Sequence, residues 1–145
     1  MKIVLQRVKS AHVITRQGTS GKIGKGLCLL VGIEKGDTQD DARYLAEKIS
    51  GLRVFSDDEG KMNLSIKEAG GDILAISQFT LAGSVKKGRR PSFDKAEKPE
   101  IAQRLFDFFV QRLQQHNIHT ETGIFGAWME ISLVNDGPVT FILSA

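Results

Sequence analysis

The pattern of apolar and polar positions divides the first third of the chain into short strand-like segments. Residues 3–8 and 11–15 are rich in β-branched side chains, which predicts two strands. The glycine- and serine-containing segment 17–22 that follows predicts a turn. Residues 27–33 form a continuous apolar run of strand length, and such a run is typical of a strand that is buried on both faces.

Two later segments have the spacing of amphipathic helices. Thr38 is a suitable N-cap residue, and Asp41 three residues later predicts a variant of the capping box. Apolar residues then recur at helical spacing, namely Ala42, Leu45, Ala46, Ile49 and Leu52. A second helix is predicted to begin near Pro99 and to end at Asn117, with a broad apolar stripe between them.

The remaining pattern indicates more strands and a mixed fold. Residues 73–76 lead into 77–81, which predicts a strand or a strand end, and 129–134 and 139–143 predict two strands. The intervening 135–138 segment has the composition of an ordinary hairpin turn. Because strands outnumber helices in mixed order, we predict an α+β or mixed α/β fold with curved, partly open barrel-like sheets and two packed helices.

Length and charge limit the classes of protein to consider. A chain of 145 residues has the usual size of one domain, so residues 1–145 are expected to form a single unit. The net charge of +3 is compatible with a polyanionic partner without requiring one. Four of the basic residues, Lys86, Lys87, Arg89 and Arg90, lie within five positions, which predicts either a solvated mobile loop or a phosphate clamp.

The cysteine content and the hydropathy of the chain indicate the cellular compartment. The single Cys28 excludes an intramolecular disulfide, and its place inside an apolar run predicts a core residue rather than a nucleophile. The polar residues soon after Met1 do not resemble an export signal, and no apolar run is long enough for a membrane span. We therefore expect a cytoplasmic protein without a membrane partner.

Several familiar kinds of site are absent from the sequence. The chain contains no phosphate-binding P-loop motif, no complete dinucleotide fingerprint and no G-x-S-x-G nucleophile elbow. One cysteine and three dispersed histidines do not form a zinc-binding set. We therefore expect neither a metal nor a cofactor.

Five motifs in register give the sequence a specific resemblance. Ser77, Gln78 and Thr80 place three hydrogen-bonding side chains around Phe79, where a strand would otherwise be apolar; alone, this pattern could be a strand that meets solvent. The chain resembles the D-aminoacyl-tRNA deacylase family in the segments 1–8, 77–81, 86–93, 123–129 and 135–140. Arg89 is a minor departure, since a polar uncharged residue is expected there.

The resemblance implies an esterase that hydrolyses D-aminoacyl-tRNA at the 3′ CCA end. Ser77 and Gln78 would hold the ribose and the ester, and backbone N–H groups near Phe79 and Thr80 would form an oxyanion hole. Thr80 could be the nucleophile, or a water positioned by the backbone and the substrate's 2′-hydroxyl could attack. We favour the water, because no histidine or lysine lies nearby in sequence to accept a threonine proton.

The resemblance also implies how the enzyme would select one hand of amino acid. Gly137 and Pro138 would be joined by a cis peptide and would enter the active site of a partner subunit, so a homodimer is expected. Their carbonyl groups would accept hydrogen bonds from the substrate's ammonium group, and an L side chain would clash with them. Glycine has no side chain to clash, so glycyl-tRNA mischarged on tRNA(Ala) is a second expected substrate. Arg7 would brace this loop and Met129 would line the pocket.

The basic segment from Lys86 to Arg90 would contact phosphates near the tRNA acceptor end, and no DNA partner is expected. Two alternatives remain open on the sequence alone. The first is a non-catalytic basic tRNA-binding protein that uses the same segment. The second is a hydrolase of small D-amino acid derivatives that carry no tRNA.

Overall fold

A computed structural model describes residues 1–86 and 88–145. Two helices pack on a mixed sheet, and the elements follow in the order β1 Lys2–Thr15, β2 Gly18–Ile23, β3 Gly26–Gly32, α1 Gln39–Gly51, β4 Phe55–Ser56, β5 Met62–Leu64, β6 Asp72–Ser77, a 3₁₀ turn Phe79–Ala82, α2 Pro99–Gln115, β7 Thr120–Thr122 and β8 Glu130–Ser144.

Two long antiparallel strands, β1 and β8, form one side of the sheet. The predicted strands at 3–8 and 11–15 are a single strand, β1, which pairs with β8 over nearly its full length. On its other edge β1 pairs first with β3 and then with β2. Since β3, β6 and β7 pair in parallel and β2 also contacts β6 and β7, the sheet curls into a nearly closed barrel. The predicted fold class is confirmed.

The core consists of two hydrophobic clusters on the two faces of β3 and β6. Alternate residues such as Leu27 and Leu29 pack against the helices, while Cys28 and Leu74 face the inside of the barrel. The prediction of a strand buried on both faces is therefore confirmed for β3. Burial also raises the pKa of the Cys28 thiol to about 11, as expected for a core cysteine.

The helix boundaries agree with the sequence signals. Thr38 caps α1 through a reciprocal capping box with Asp41. Pro99 occupies the first turn of α2, and Asn117 just beyond the helix adopts a left-handed conformation with φ of 58°. No helix in the described ranges has both the length and the apolarity that crossing a membrane requires.

The interpretation of residues 135–138 as a hairpin turn is wrong. Residues on both sides of this segment pair with the same strand, Asn135 with Val8 and Thr140 with Gln6. Only Arg7 separates the two partners on β1, whereas four residues separate them on β8, so the excess residues leave the ladder as a bulge. The chain does not reverse direction here.

Two other predictions need smaller corrections. The segment predicted as a turn at 17–22 is mostly strand β2, because glycine and serine are tolerated on an edge that closes the barrel. The strand predicted to continue through 77–81 ends at Ser77, and the chain then forms the 3₁₀ turn.

Candidate active site

A cavity of about 470 Å³ opens where β6 ends, between the start of α2 and the segment that leads into β8. Its walls are mostly apolar, and the polar side chains among them belong to Ser77 and Gln78 at the end of β6 and to Glu97 just before α2. It is lined by Val31, Ile33, Ser77, Gln78, Phe79, Ala96, Glu97, Pro99, Ala102, Phe125, Gly126, Ala127, Trp128, Met129 and Ile131. The volume is that of a pocket for one small organic ligand.

The 3₁₀ turn is held against β3 by close backbone packing. The Gln78 N–H donates to the Val31 carbonyl over 2.8 Å, which continues the β3–β6 ladder by one residue. At Gly32 a Cβ atom would lie 2.7 Å from the Leu81 Cβ and 3.1 Å from the Gln78 carbonyl oxygen. A glycine at this position therefore allows the turn to fold directly onto the strand.

The start of the turn leaves two backbone donors free. The first N–H groups of a helical turn have no acceptor within it. Here these groups belong to Phe79 and Thr80, and neither donates a hydrogen bond to any part of the chain that the structure describes. Both residues are exposed, and Phe79 also lines the cavity, so the pair of donors belongs to a turn that borders it.

The side chains beside these donors interact with each other. The Gln78 Nε2 group donates a hydrogen bond to the Thr80 Oγ1 atom. Thr80 itself does not line the cavity and lies on the turn next to it. The threonine hydroxyl is thus held by an amide, which cannot accept its proton.

The opposite wall is formed by the segment between β7 and β8, where Met129 lies in the cavity wall. At Gly123 a Cβ atom would meet the Met129 Sδ atom at 2.5 Å and the Ile76 Cδ1 atom at 3.2 Å. The ring of Phe125 packs against Phe106 of α2 with 6.2 Å between centroids. These contacts fix the wall relative to β6 and α2.

The basic segment is anchored beside the cavity. Ser84 and Ser92 form a two-way backbone pair at 2.8 and 2.9 Å, which closes a loop. Phe93, just after this pair, packs on Phe79 with a centroid distance of 5.0 Å. The loop residues Lys86, Arg89 and Arg90 are exposed, whereas the predicted contact residue Lys87 lies outside the described residues.

Gly137 and Pro138 lie apart from the cavity of their own chain. They are exposed in the bulge of β8, do not line the cavity and are joined by a cis peptide bond. Arg7 is buried and its Nε atom donates to the Asp136 carbonyl at 3.0 Å, while Nη1 donates to the Val54 carbonyl at 2.6 Å. Asn135 completes the support, because its Oδ1 atom accepts the Val139 N–H at 2.9 Å. The arginine therefore reaches the predicted segment.

Two residues of the cavity wall were not predicted from the sequence. Glu97 is the one ionisable side chain among the described residues that line the cavity, and Trp128 is 60% exposed at its edge. Glu97 lies outside the five motifs, and Trp128 lies inside the 123–129 motif at a position to which no role was assigned; only the fold brings both beside Ser77. Across residues 1–86 and 88–145, His, Cys, Asp and Glu side chains nowhere form a group of three suited to a metal ion.

The curled sheet, the mostly apolar cavity and the pair of free N–H groups beside it are the features expected of a small hydrolase that acts on an ester. The chain belongs to the D-Tyr-tRNA(Tyr) deacylase family, whose model matches residues 4–144. The prediction from the five motifs is confirmed at the level of the family.

The relatives and solved structures match this chain over nearly its full length. A D-aminoacyl-tRNA deacylase of Geobacter sulfurreducens is 59% identical over 143 residues, which cover 99% of this chain and 94% of the relative. One from Halalkalibacterium halodurans is 55% identical, covering 100% of this chain and 99% of that protein. A solved structure titled c-Myc DNA Unwinding Element Binding Protein has a TM-score of 0.92 at 38% identity, with coverage of 100% and 99%. A probable eukaryotic D-amino acid tRNA deacylase shares the fold, with a TM-score of 0.85, 17% identity and coverage of 99% and 98%.

Proposed function

We propose that this chain is a D-aminoacyl-tRNA deacylase, which hydrolyses the ester between a D-amino acid and the 3′ end of tRNA. Family membership and relatives of that name at more than half identity support the reaction class. The observation that carries the proposal is the pair of free N–H groups of Phe79 and Thr80 beside the cavity. Residues 1–145 would form one such domain, active in the cytoplasm where its substrate is used.

The chemical step follows from these donors. When water attacks the ester carbonyl, negative charge develops on the carbonyl oxygen, and two fixed N–H groups stabilise that charge better than mobile water can. Ser77 and Gln78, in the adjacent wall, would hold the terminal ribose and the ester. An aminoacyl ester is already activated, so orientation and oxyanion stabilisation supply most of what the reaction needs.

The attacking group is proposed to be a water rather than Thr80. A threonine nucleophile requires a base within hydrogen-bond reach. The partner of the Thr80 hydroxyl is the Gln78 amide, which has no basic atom. A water held by the backbone and by the substrate's own 2′-hydroxyl requires no such base from the protein.

Selection of the D isomer is assigned to Gly137 and Pro138 of a second subunit. Both residues are exposed and outside their own cavity, which suits a role in a neighbouring one. Arg7 and Asn135 hold the segment, so it can act as a fixed barrier. Its carbonyl groups would accept hydrogen bonds from the substrate's ammonium group, and an L side chain would collide with it. Glycine has no side chain to collide, so glycyl-tRNA mischarged on tRNA(Ala) would also be hydrolysed.

The free side of β8 supports the homodimer. Among the described residues β8 pairs with β1 alone, which leaves one edge of a 15-residue strand open. Val134, Phe141 and Ile142 on this strand are large and exposed, and Ile142 is 78% exposed. An open strand edge with large exposed apolar side chains is a ready template for pairing with another chain. A second copy that covers it would also carry its own Gly137 and Pro138 towards the first.

Recognition of tRNA would be mainly electrostatic outside the cavity. Lys86, Arg89 and Arg90 are exposed on the loop that Phe93 anchors next to Phe79. Such residues contact phosphates with little sequence preference. Specificity would therefore come from the CCA end and from the stereochemistry of the ester.

The test is release of amino acid from D-Tyr-tRNA and L-Tyr-tRNA by the purified protein. We expect hydrolysis of the D isomer and near-complete sparing of the L isomer. Gln78→Ala should lower kcat/KM for the D substrate by roughly tenfold to a hundredfold, because the ester is then misplaced. Gln111→Ala, an exposed glutamine of α2 away from this cavity, is the matched control and should have no effect.

Equal hydrolysis of both isomers would contradict the chiral mechanism. Binding of charged and uncharged tRNA without release of either amino acid would instead favour a non-catalytic basic tRNA-binding protein. Hydrolysis of small D-amino acid esters with no advantage for tRNA would favour a hydrolase of free derivatives.

A further inference from the structure

Trp128 has no role in the chemistry proposed so far. It is the single tryptophan of the chain, it lies in the cavity wall, and 60% of its surface is exposed. An aromatic side chain normally buries most of its area, so a tryptophan left open at the edge of a pocket is a candidate contact for a ligand.

The size of the cavity decides which part of the ligand reaches this side chain. A cavity of about 470 Å³ holds one small organic ligand. With the ester at Ser77 and Gln78, the terminal aminoacyl-adenosine would occupy the part of that space next to β6. The preceding nucleotide would then lie towards the rim, where 60% of Trp128 is exposed.

The chemistry of the rim suits an unpaired base. The unstacked bases of a single-stranded RNA end bind to proteins by stacking on aromatic rings. The cationic residues Lys86, Arg89 and Arg90 are exposed on the loop anchored beside the same cavity, where they can neutralise the accompanying phosphates. Phe79 lies in the same wall and is 59% exposed, but its ring packs on Phe93 with 5.0 Å between centroids, whereas no aromatic ring among the described residues packs on Trp128.

We propose that Trp128 is the stacking platform for the penultimate nucleobase of the CCA end, on which the base next to the terminal adenosine rests. The inference depends on the proposed function, because it needs the aminoacyl ester to lie at the end of β6. It assigns to this chain a residue that binds the tRNA end but does not take part in the cleavage.

Substrate length provides the first test. The KM and kcat of Trp128→Ala and Trp128→Phe would be measured with D-Tyr-tRNA and with D-tyrosyl-adenosine, which lacks the penultimate base. We expect Trp128→Ala to raise KM for the tRNA by about tenfold, the effect expected for loss of one stacked base, and to leave kcat unchanged. Trp128→Phe should retain most of the affinity, and D-tyrosyl-adenosine should be hydrolysed alike by all three proteins.

A matched control is Tyr44→Ala, which removes another exposed aromatic ring, on α1 and outside the cavity. It should behave as the unaltered protein. An equal loss with both substrates would overturn the proposal, because Trp128 would then contact the terminal aminoacyl-adenosine. No loss with either would overturn it as well. Failure of the unaltered protein to cleave D-Tyr-tRNA would instead refute the proposed function.

Fluorescence provides a second test that does not need turnover. Because the chain has one tryptophan, all indole emission reports on this position. Titration with the dinucleotide CpA should quench the emission through stacking, whereas adenosine should leave it nearly unchanged. Equal quenching by adenosine would overturn the proposal. So would a change of oligomeric state in Trp128→Ala, because a second copy of the chain would then cover the ring.

Discussion

At Gly123 the absence of a side chain leaves room for Met129 in the cavity wall. The backbone conformation there does not require glycine, since Gly123 is not among the residues with positive φ. The Met129 Sδ atom, 2.5 Å from where a Cβ would lie, is what a larger residue would displace. Because this atom is near the end of a flexible side chain, it can move at little cost in stability while the shape of the cavity changes.

Gly123→Ala is therefore expected to affect catalysis more than folding. We expect kcat/KM for D-Tyr-tRNA to fall by roughly tenfold to a hundredfold, since small misplacements at the reacting centre are costly. The free energy of unfolding should change by about 1 kcal/mol or less, the usual size for a surface-adjacent change. Steady-state kinetics and urea unfolding would measure the two quantities.

A double-mutant cycle separates this explanation from a general disturbance of β7. In a Met129→Ala background the thioether is absent, so adding Gly123→Ala should have almost no further effect on kcat/KM. Equal losses in both backgrounds would mean that Gly123 acts through the neighbouring β6–β7 pairing instead.

Residues that belong to a local motif were predictable, and residues that meet only through the fold were not. Cys28 was placed in the core correctly because its neighbours in sequence are all apolar. Met129 was expected to line the pocket, but nothing in the sequence indicates that its neighbour Trp128 and Glu97, 31 positions away from Trp128, share the wall of that cavity. Sequence spacing gives contacts within an element, but not contacts between distant loops.

At the scale of elements, the start of α1 depends on a reciprocal pair of contacts. The Asp41 N–H donates to the Thr38 hydroxyl, and the Thr38 N–H and hydroxyl both donate to the Asp41 carboxylate. The hydrogen bonds from Thr38 lower the pKa of Asp41 below its usual 3.8. A carboxyl with a lowered pKa stabilises the fold above its unfolded-state pKa, and this contribution is lost as the pH falls through the folded-state value.

Thr38→Ala should therefore destabilise the protein by about 1 kcal/mol at pH 7, the typical effect of removing an N-cap hydroxyl. The difference from the unaltered protein should shrink below pH 3.8, where the carboxylate becomes protonated and the capping box weakens. Urea unfolding at pH 7 and pH 3, at one protein concentration, measures both differences. Thr38→Ser keeps the hydroxyl and should retain most of the stability; an equal loss in both variants would exclude the cap as the cause.

The strand β8 illustrates why an element cannot always be predicted from its local sequence pattern. The segment from Asn135 to Pro138 has turn composition, and the apolar runs on both sides are of strand length. A hairpin and a bulge in a single strand give the same local pattern. Only the pairing of both halves with β1 distinguishes them, and the paired residues, from Ile14 with Glu130 to Lys2 with Ser144, are 116 to 142 positions apart in the chain.

At the scale of the whole molecule, the candidate site is divided between two surfaces of one chain. The cavity at the end of β6 lies beside the proposed oxyanion donors, whereas Gly137 and Pro138 are exposed in the bulge of β8 outside it. In the proposed dimer each complete site would combine the cavity of one protomer with the bulge of the other. Neither surface would then work in a monomer.

Subunit complementation tests this division directly. Gln78→Ala impairs the cavity, and Gly137→Ala impairs the bulge, because a Cβ at Gly137, where φ is +144°, would lie 2.6 Å from the Val139 Cγ2 atom. Each variant alone should hydrolyse D-Tyr-tRNA poorly. After the two are unfolded together and refolded at equal amounts, half of the dimers should be mixed. Each mixed dimer then has one site with both surfaces intact, so activity should recover to about a quarter of the unaltered level.

The control for this recovery is each variant refolded by itself, which should gain no activity towards D-Tyr-tRNA. Size-exclusion chromatography should show that both variants are dimers. If the bulge served the cavity of its own chain, every site in a mixed dimer would contain exactly one altered surface. The mixture would then have only the mean activity of the two variants, and the division of the site between protomers would be wrong.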